Sequence, residues 1–157
     1  MSIWHISSTV DEINAHSRGT LVEHLAIEFL EIGEDYLKAR MPVDQRTIQP
    51  AGILHGGASV VLAETMGSVA AFLCEDPQTR HCVGLEINAN HVRSVRSGYV
   101  YGVARPLHIG SSTQLWEIKI SDEQERLVCI SRLTMAILAK LKPEAEDRQA
   151  TACSGDL

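Results

Sequence analysis

Glu64 is the one formally charged side chain in residues 53–74, ILHGGASVVLAETMGSVAAFLC, where its neighbours include Val60, Val61, Leu62, Ala63, Val69 and Phe72. A helix apolar nearly all round is buried, and a lone buried carboxylate is costly unless paired or hydrogen-bonded. Two readings follow. Glu64 either reaches solvent or a cation across an interface, or it does chemistry. Ser68 lies four residues on and Gly67 three on, so both share its face. Gly67 admits a plainer use, close packing against a neighbouring element. His55-Gly56-Gly57 falls where this helix begins. The first N–H groups of a helix lack internal partners and carry the positive end of its dipole. Glycines let a ligand oxygen come close, which suits an oxyanion hole for an acyl carbonyl; they equally suit an ordinary helix cap.

Together these residues fit attack on a thioester. One group must polarise the carbonyl, and another must act as nucleophile or base. Gln49, in the loop before the helix, can offer a neutral hydrogen bond to the thioester or a water. His55 can donate to the carbonyl. His91 ends a strand on its apolar face and, from position alone, reads as a core-edge histidine satisfied by backbone. There is no GxSxG and no nucleotide-binding glycine loop, and the seven histidines show no metal-ligand spacing.

These residues need a scaffold, and the pattern along the chain supplies one. Residues 1–6 suggest a short strand or arm. Residues 7–17 suggest a short helix capped by Ser8 or Thr9, with Val10, Ile13 and His16 as its stripe. Leu21 and Leu25 suggest a turn packed on the core. Residues 26–32 and 36–42 alternate around a Gly33 turn and read as a β-hairpin. Four further strands follow the apolar helix: 82–91, 99–107 closed by Pro106, 113–121 and 127–138. The expected inward faces are Leu37, Ala39 and Met41; Val83, Leu85, Ile87, Ala89 and His91; Gln114, Trp116, Ile118 and Ile120; and Leu127, Cys129, Leu133, Met135 and Ile137. An antiparallel sheet must cover its apolar face, and the helix is the large apolar object available. The expected class is α+β, a hotdog fold with an antiparallel sheet wrapped around one long central helix. Residues 1–138 are expected to form one domain, and 139–157 a polar, disordered tail.

Composition narrows the function. The 157 residues carry a net charge of −6, so no basic footprint for nucleic acid is present. Four cysteines without CxxC spacing suggest free thiols, three in the core and one in the tail, in a reducing compartment. The N-terminus has no signal-peptide pattern. The apolar run is long enough for a membrane, but its HGG start and central Glu64 argue for a buried helix. The expectation is a cytosolic protein without membrane or nucleic-acid partners.

MPVDQRTIQPAGILHGGASVVLAETMGSVA, then VGLEINANHVRS, PLHIGSSTQLWEI and SRLTMAIL, resemble the hotdog-fold acyl-CoA thioesterases. The likeness covers roughly residues 20–138. It is greatest to the 4-hydroxybenzoyl-CoA thioesterase type with its acid on the long helix, a branch that includes the 1,4-dihydroxy-2-naphthoyl-CoA and enterobactin-proofreading thioesterases. The resemblance implies an aromatic or medium-chain acyl-CoA as substrate, or an acylated carrier protein. It makes Glu64 the essential carboxylate, acting as nucleophile or general base, and Gly56 the N–H that polarises the carbonyl. Gln49, His55 and Ser68 complete the catalytic set. It places each site at a homodimer interface, with Glu64 facing Gln49, His55 and Gly56 of the other chain, and such dimers commonly pair into tetramers. His91, Arg93, Arg96 and Ser111 become substrate and CoA contacts, although the 110–114 loop reads GSSTQ where some relatives carry a basic side chain. No metal or redox cofactor is implied. Alternatives are a broad fatty acyl-CoA thioesterase, a carrier-protein proofreading enzyme and a non-catalytic acyl-CoA sensor.

Overall fold

A computed structural model describes residues 2–140. Two short helices precede the sheet. Helix α1 (Val10–His16) starts at a reciprocal cap: Thr9 Oγ1 accepts from the Glu12 N–H at 3.2 Å, and Glu12 Oε2 accepts from the Thr9 N–H at 2.8 Å. Ile13 is buried but His16 is exposed, its ring bonded to the Glu12 carbonyl, so the expected stripe is shorter than read. Helix α2 (Leu21–His24) is capped by Thr20. Here the expected pair splits. Leu25 is buried, whereas Leu21 is 55% exposed; the helix ends at His24, and Leu25 is its C-cap with non-helical backbone angles.

The six strands are β1 (Glu28–Ile32), β2 (Leu37–Pro42), β3 (Arg80–His91), β4 (Tyr99–Ile109), β5 (Thr113–Asp122) and β6 (Leu127–Ala139). They form one antiparallel sheet in the order β1-β2-β4-β5-β6-β3. Helix α3 (Gly56–Leu73) packs against β2 to β6. Strict alternation places Leu37, Ala39 and Met41 of β2 and Trp116, Ile118 and Ile120 of β5 in the core, with Cys129, Leu133 and Met135 of β6. They meet Leu62, Ala63, Met66 and Ala70 of α3. Gly67 serves packing: an added Cβ would stand 2.5 Å from Leu133 Cδ2. By length and composition alone α3 could cross a membrane; here half of it is buried under its own sheet.

Residues 3–6 form an arm. The His5 and Ile6 N–H groups both donate to the Leu73 carbonyl at the end of α3, at 2.8 and 2.9 Å. Trp4 stacks on buried Trp116, ring centroids 6.2 Å apart, and donates its indole N–H to the Gly33 carbonyl. Cys129 is buried, and Cys74 and Cys82 are half-buried free thiols packed beside the core. Burial pushes the Cys74 thiol up to about 12, which leaves it unreactive.

Three strand expectations need correction. In β3 a bulge falls between Gly84 and Glu86. The extra residue shifts the alternation by one. Val83 and Leu85 are therefore 40% and 62% exposed, while Ile87 and Ala89 pack inward as expected. In β4 the strand continues past Pro106 to Ile109, because a register shift between Pro106 and His108 accommodates the residue that cannot donate. In β6 Leu127 opens the strand at its exposed end, so it does not share the burial of Cys129 and Leu133. The expected tail mostly lies outside the described residues, with Cys153; Ala139 itself completes β6.

Candidate active site

The loop before α3 is tied tightly to the helix start. Buried Thr47 donates its hydroxyl to the Pro42 carbonyl at 2.8 Å, and its carbonyl accepts from the His55 N–H at 2.8 Å. Ile48 bridges to Leu54, and the Gln49 N–H donates to the Ile53 carbonyl. Gly52 turns the chain at φ +69°, a left-handed conformation that favours glycine. Gln49 is thus carried on a small closed loop beside the first turn of α3.

His55 is the N-cap. Its Nδ1 accepts from the Gly57 N–H at 2.8 Å. An accepting Nδ1 in a neutral ring puts the proton on Nε2, which leaves that N–H available as a donor. The Gly56 N–H, at the first helical position, makes no hydrogen bond among the described residues. The His91 ring lies against Gly56 so closely that a Cβ there would be 2.9 Å from Nε2. His91 is exposed and its ring makes no hydrogen bond to backbone among the described residues, so it is not the satisfied core-edge histidine that its position suggested. Gln49, Gly56, Ser59, His91 and Arg93 line one cavity of about 400 Å³.

Glu64 and Ser68 stand apart from this cavity. Eight residues of helix separate Gly56 from Glu64, ~12 Å along the axis. The Glu64 carboxylate is half-buried and has no cationic partner among the described residues. Burial raises its pKa above the ordinary carboxylate value, partly opposed by the neighbouring Ser68 hydroxyl. The Ser68 hydroxyl also lies 3.9 Å from Met135 Sδ. The carboxylate faces Gly84 of β3, a residue the sequence reading passed over. A glycine inside a strand pattern was the available signal.

Of the expected CoA contacts, Arg93 lines the His91 cavity and Arg96 lines an adjoining one with Asp122 and Arg126. Ser111 is elsewhere: its carbonyl accepts from the Arg80 guanidinium, and Thr113, two residues on, pairs with Ala136, whereas His91 pairs with Cys129. Seven residues along β6 put Ser111 ~23 Å from His91, toward the end that holds Glu64. One chain therefore presents two partial constellations, Gln49, His55, Gly56, His91 and Arg93 in one place and Glu64 and Ser68 in another.

An antiparallel sheet packed on a single long helix defines the hotdog class, and solved thioesterases share it. A crystallised mutant of thioesterase PA1618 from Pseudomonas aeruginosa superimposes with a TM-score of 0.87 at 46% identity, over 88% of this chain and 100% of that one. Residues 51–129 match the thioesterase superfamily profile, and the chain belongs to that family. It is a thioester hydrolase. The 1,4-dihydroxy-2-naphthoyl-CoA hydrolase of Escherichia coli is 58% identical over 87% of this chain and 99% of its own length. The proofreading thioesterase EntH of Cronobacter turicensis is 54% identical over 87% and 98%.

Proposed function

We propose that the protein hydrolyses an aromatic acyl-CoA of the hydroxybenzoyl or hydroxynaphthoyl type, at sites each built from two chains. The observation that carries this reading is that Gly56, whose N–H is unpaired among the described residues, lines a cavity with Gln49 and His91, while the acid stands ~12 Å away on the same helix. A second chain can bring its Glu64 to that cavity. Strand β3 offers the surface: it is twelve residues long, pairs with β6 on one side only, and has both faces partly open. So long an open edge invites pairing with another copy. Sizing in solution tests the dimer, and the same run reads out its pairing into a tetramer. The free thiols Cys74, Cys82 and Cys129 suit the cytosol.

In the proposed mechanism the Gly56 N–H, at the positive end of α3, stabilises charge developing on the thioester oxygen. The ionised Glu64 attacks the carbonyl carbon, the C–S bond breaks, and CoA leaves as thiolate. Water then cleaves the anhydride. In the general-base variant Glu64 takes a proton from the attacking water instead. Gln49, His55 and Ser68 orient the water and the departing sulfur. His91 and Arg93, with Arg96 and Ser111, hold the acyl-CoA.

Thiol release from benzoyl-, phenylacetyl-, hydroxynaphthoyl- and fatty acyl-CoA tests the substrate class. The fastest turnover is expected with an aromatic thioester. Preference for a fatty acyl chain sinks that assignment. The 54% identity to a proofreading thioesterase favours one further arm, an aryl-loaded carrier protein.

The two parts assigned to His55 separate by substitution. His55→Ala removes the cap and costs about 1 kcal/mol of stability. His55→Asn keeps a capping side chain and is expected to melt with the wild type. Both are expected to lose turnover with the Nε2–H donor. Full kcat in His55→Asn would reduce His55 to a cap alone.

A further inference from the structure

The geometry points to Gly84 as a positioning residue that reserves the space occupied by the Glu64 carboxylate. This rests on the reading of Glu64 as the acid. A Cβ at position 84 would stand 2.6 Å from Glu64 Oε1 and 3.6 Å from its Cδ. Apart from its chain neighbours, no other described residue comes within 4 Å of that point. The glycine therefore answers to one group only.

The surrounding backbone holds this arrangement in place. Gly84 pairs with Met135, whose sulfur lies 3.9 Å from the Ser68 hydroxyl, so the β6 partner of the glycine also borders the acid. The bulge begins at Gly84, and the residue it inserts, Leu85, points out to solvent. Inward-facing Gly84 and Ile87 are thereby spaced by three rather than two. A bulge increases local twist and can re-aim what lies beside it. Glu64 has no cation to anchor it among the described residues. Ser68 and the bare backbone of β3 are what define its place.

The nature of the clash sets the expected phenotype. The atoms that meet a new methyl group are the tip of a flexible, half-buried side chain. They can move without disturbing the core. Gly84→Ala should therefore fold normally and misplace only the acid. Gly67→Ala is the contrasting case, since its Cβ would press on Leu133, which is fully buried.

The test compares Gly84→Ala, Glu64→Gln and Gly67→Ala, using the acyl-CoA that the wild type turns over fastest. Gly84→Ala is expected to lower kcat about 100-fold, the scale of an ångström-sized misplacement. Its KM and melting temperature are expected to match the wild type, while Gly67→Ala melts lower. Unchanged kcat in Gly84→Ala overturns the inference. So does a fall in melting temperature like that of Gly67→Ala, because the residue would then be structural. Full activity in Glu64→Gln would instead overturn the reading of Glu64 as the acid, so the two failures are distinguishable.

Discussion

Glu64→Gln is expected to reduce kcat about 10³-fold with the fold intact, the middle of the range for losing a positioned acid or base. The amide keeps the shape of the side chain. It cannot supply a negative charge to attack a carbonyl or take a proton. Burial raises the wild-type pKa, with the neighbouring Ser68 hydroxyl opposing it. The working form is the ionised one. Activity is therefore present above the raised pKa and is lost as pH falls through it. The acid limb of kcat against pH should lie above the range of an exposed glutamate, and the residual activity of Glu64→Gln should lack that limb. A Glu64→Gln enzyme with wild-type kcat, or one that keeps the limb, would remove Glu64 from the chemistry.

The second large effect is gain of activity between two dead proteins. One chain carries Glu64→Gln, and the other carries Gln49→Ala with His55→Ala. Each alone is expected to be inactive. Co-expressed with different tags and purified as the mixed dimer, they combine both defects in one site and leave the other whole. About half the wild-type rate per dimer should return. If every site lay within a single chain, both sites of the mixed dimer would be defective and nothing would return. Steady-state thiol release on the doubly purified species decides between the two. The ~12 Å between Gly56 and Glu64 along α3 is the reason to expect recovery.

Much of the scaffold was legible because periodicity is local. The two-residue rhythm of Leu37, Ala39 and Met41, and of Trp116, Ile118 and Ile120, fixed which side faces the helix before any contact was known. The lone charge in 53–74 marked Glu64. Features that depend on another strand were not legible. The shift in β3 is a matter of how Gly84 and Glu86 meet Met135 and Thr134 of β6, a partner far away in sequence. His55 as its own helix cap needed the ring orientation. Ser111 and His91 looked like members of one set, yet only register shows them toward opposite ends of the sheet. The residues of the site could be listed from types and spacing. Their division into two groups could not.

The irregularity in β3 also has a meaning for how such a sequence changes over time. Gly84 and Glu86 already occupy successive partners on β6, Met135 and Thr134, so the ladder would not register the loss of Leu85. A one-codon deletion there would keep Gly84, Ile87 and Ala89 on their present side and straighten the strand. Its effect would fall on twist, and so on the setting of one carboxylate. The presence or absence of that one residue thus resets the acid while the core keeps its contacts.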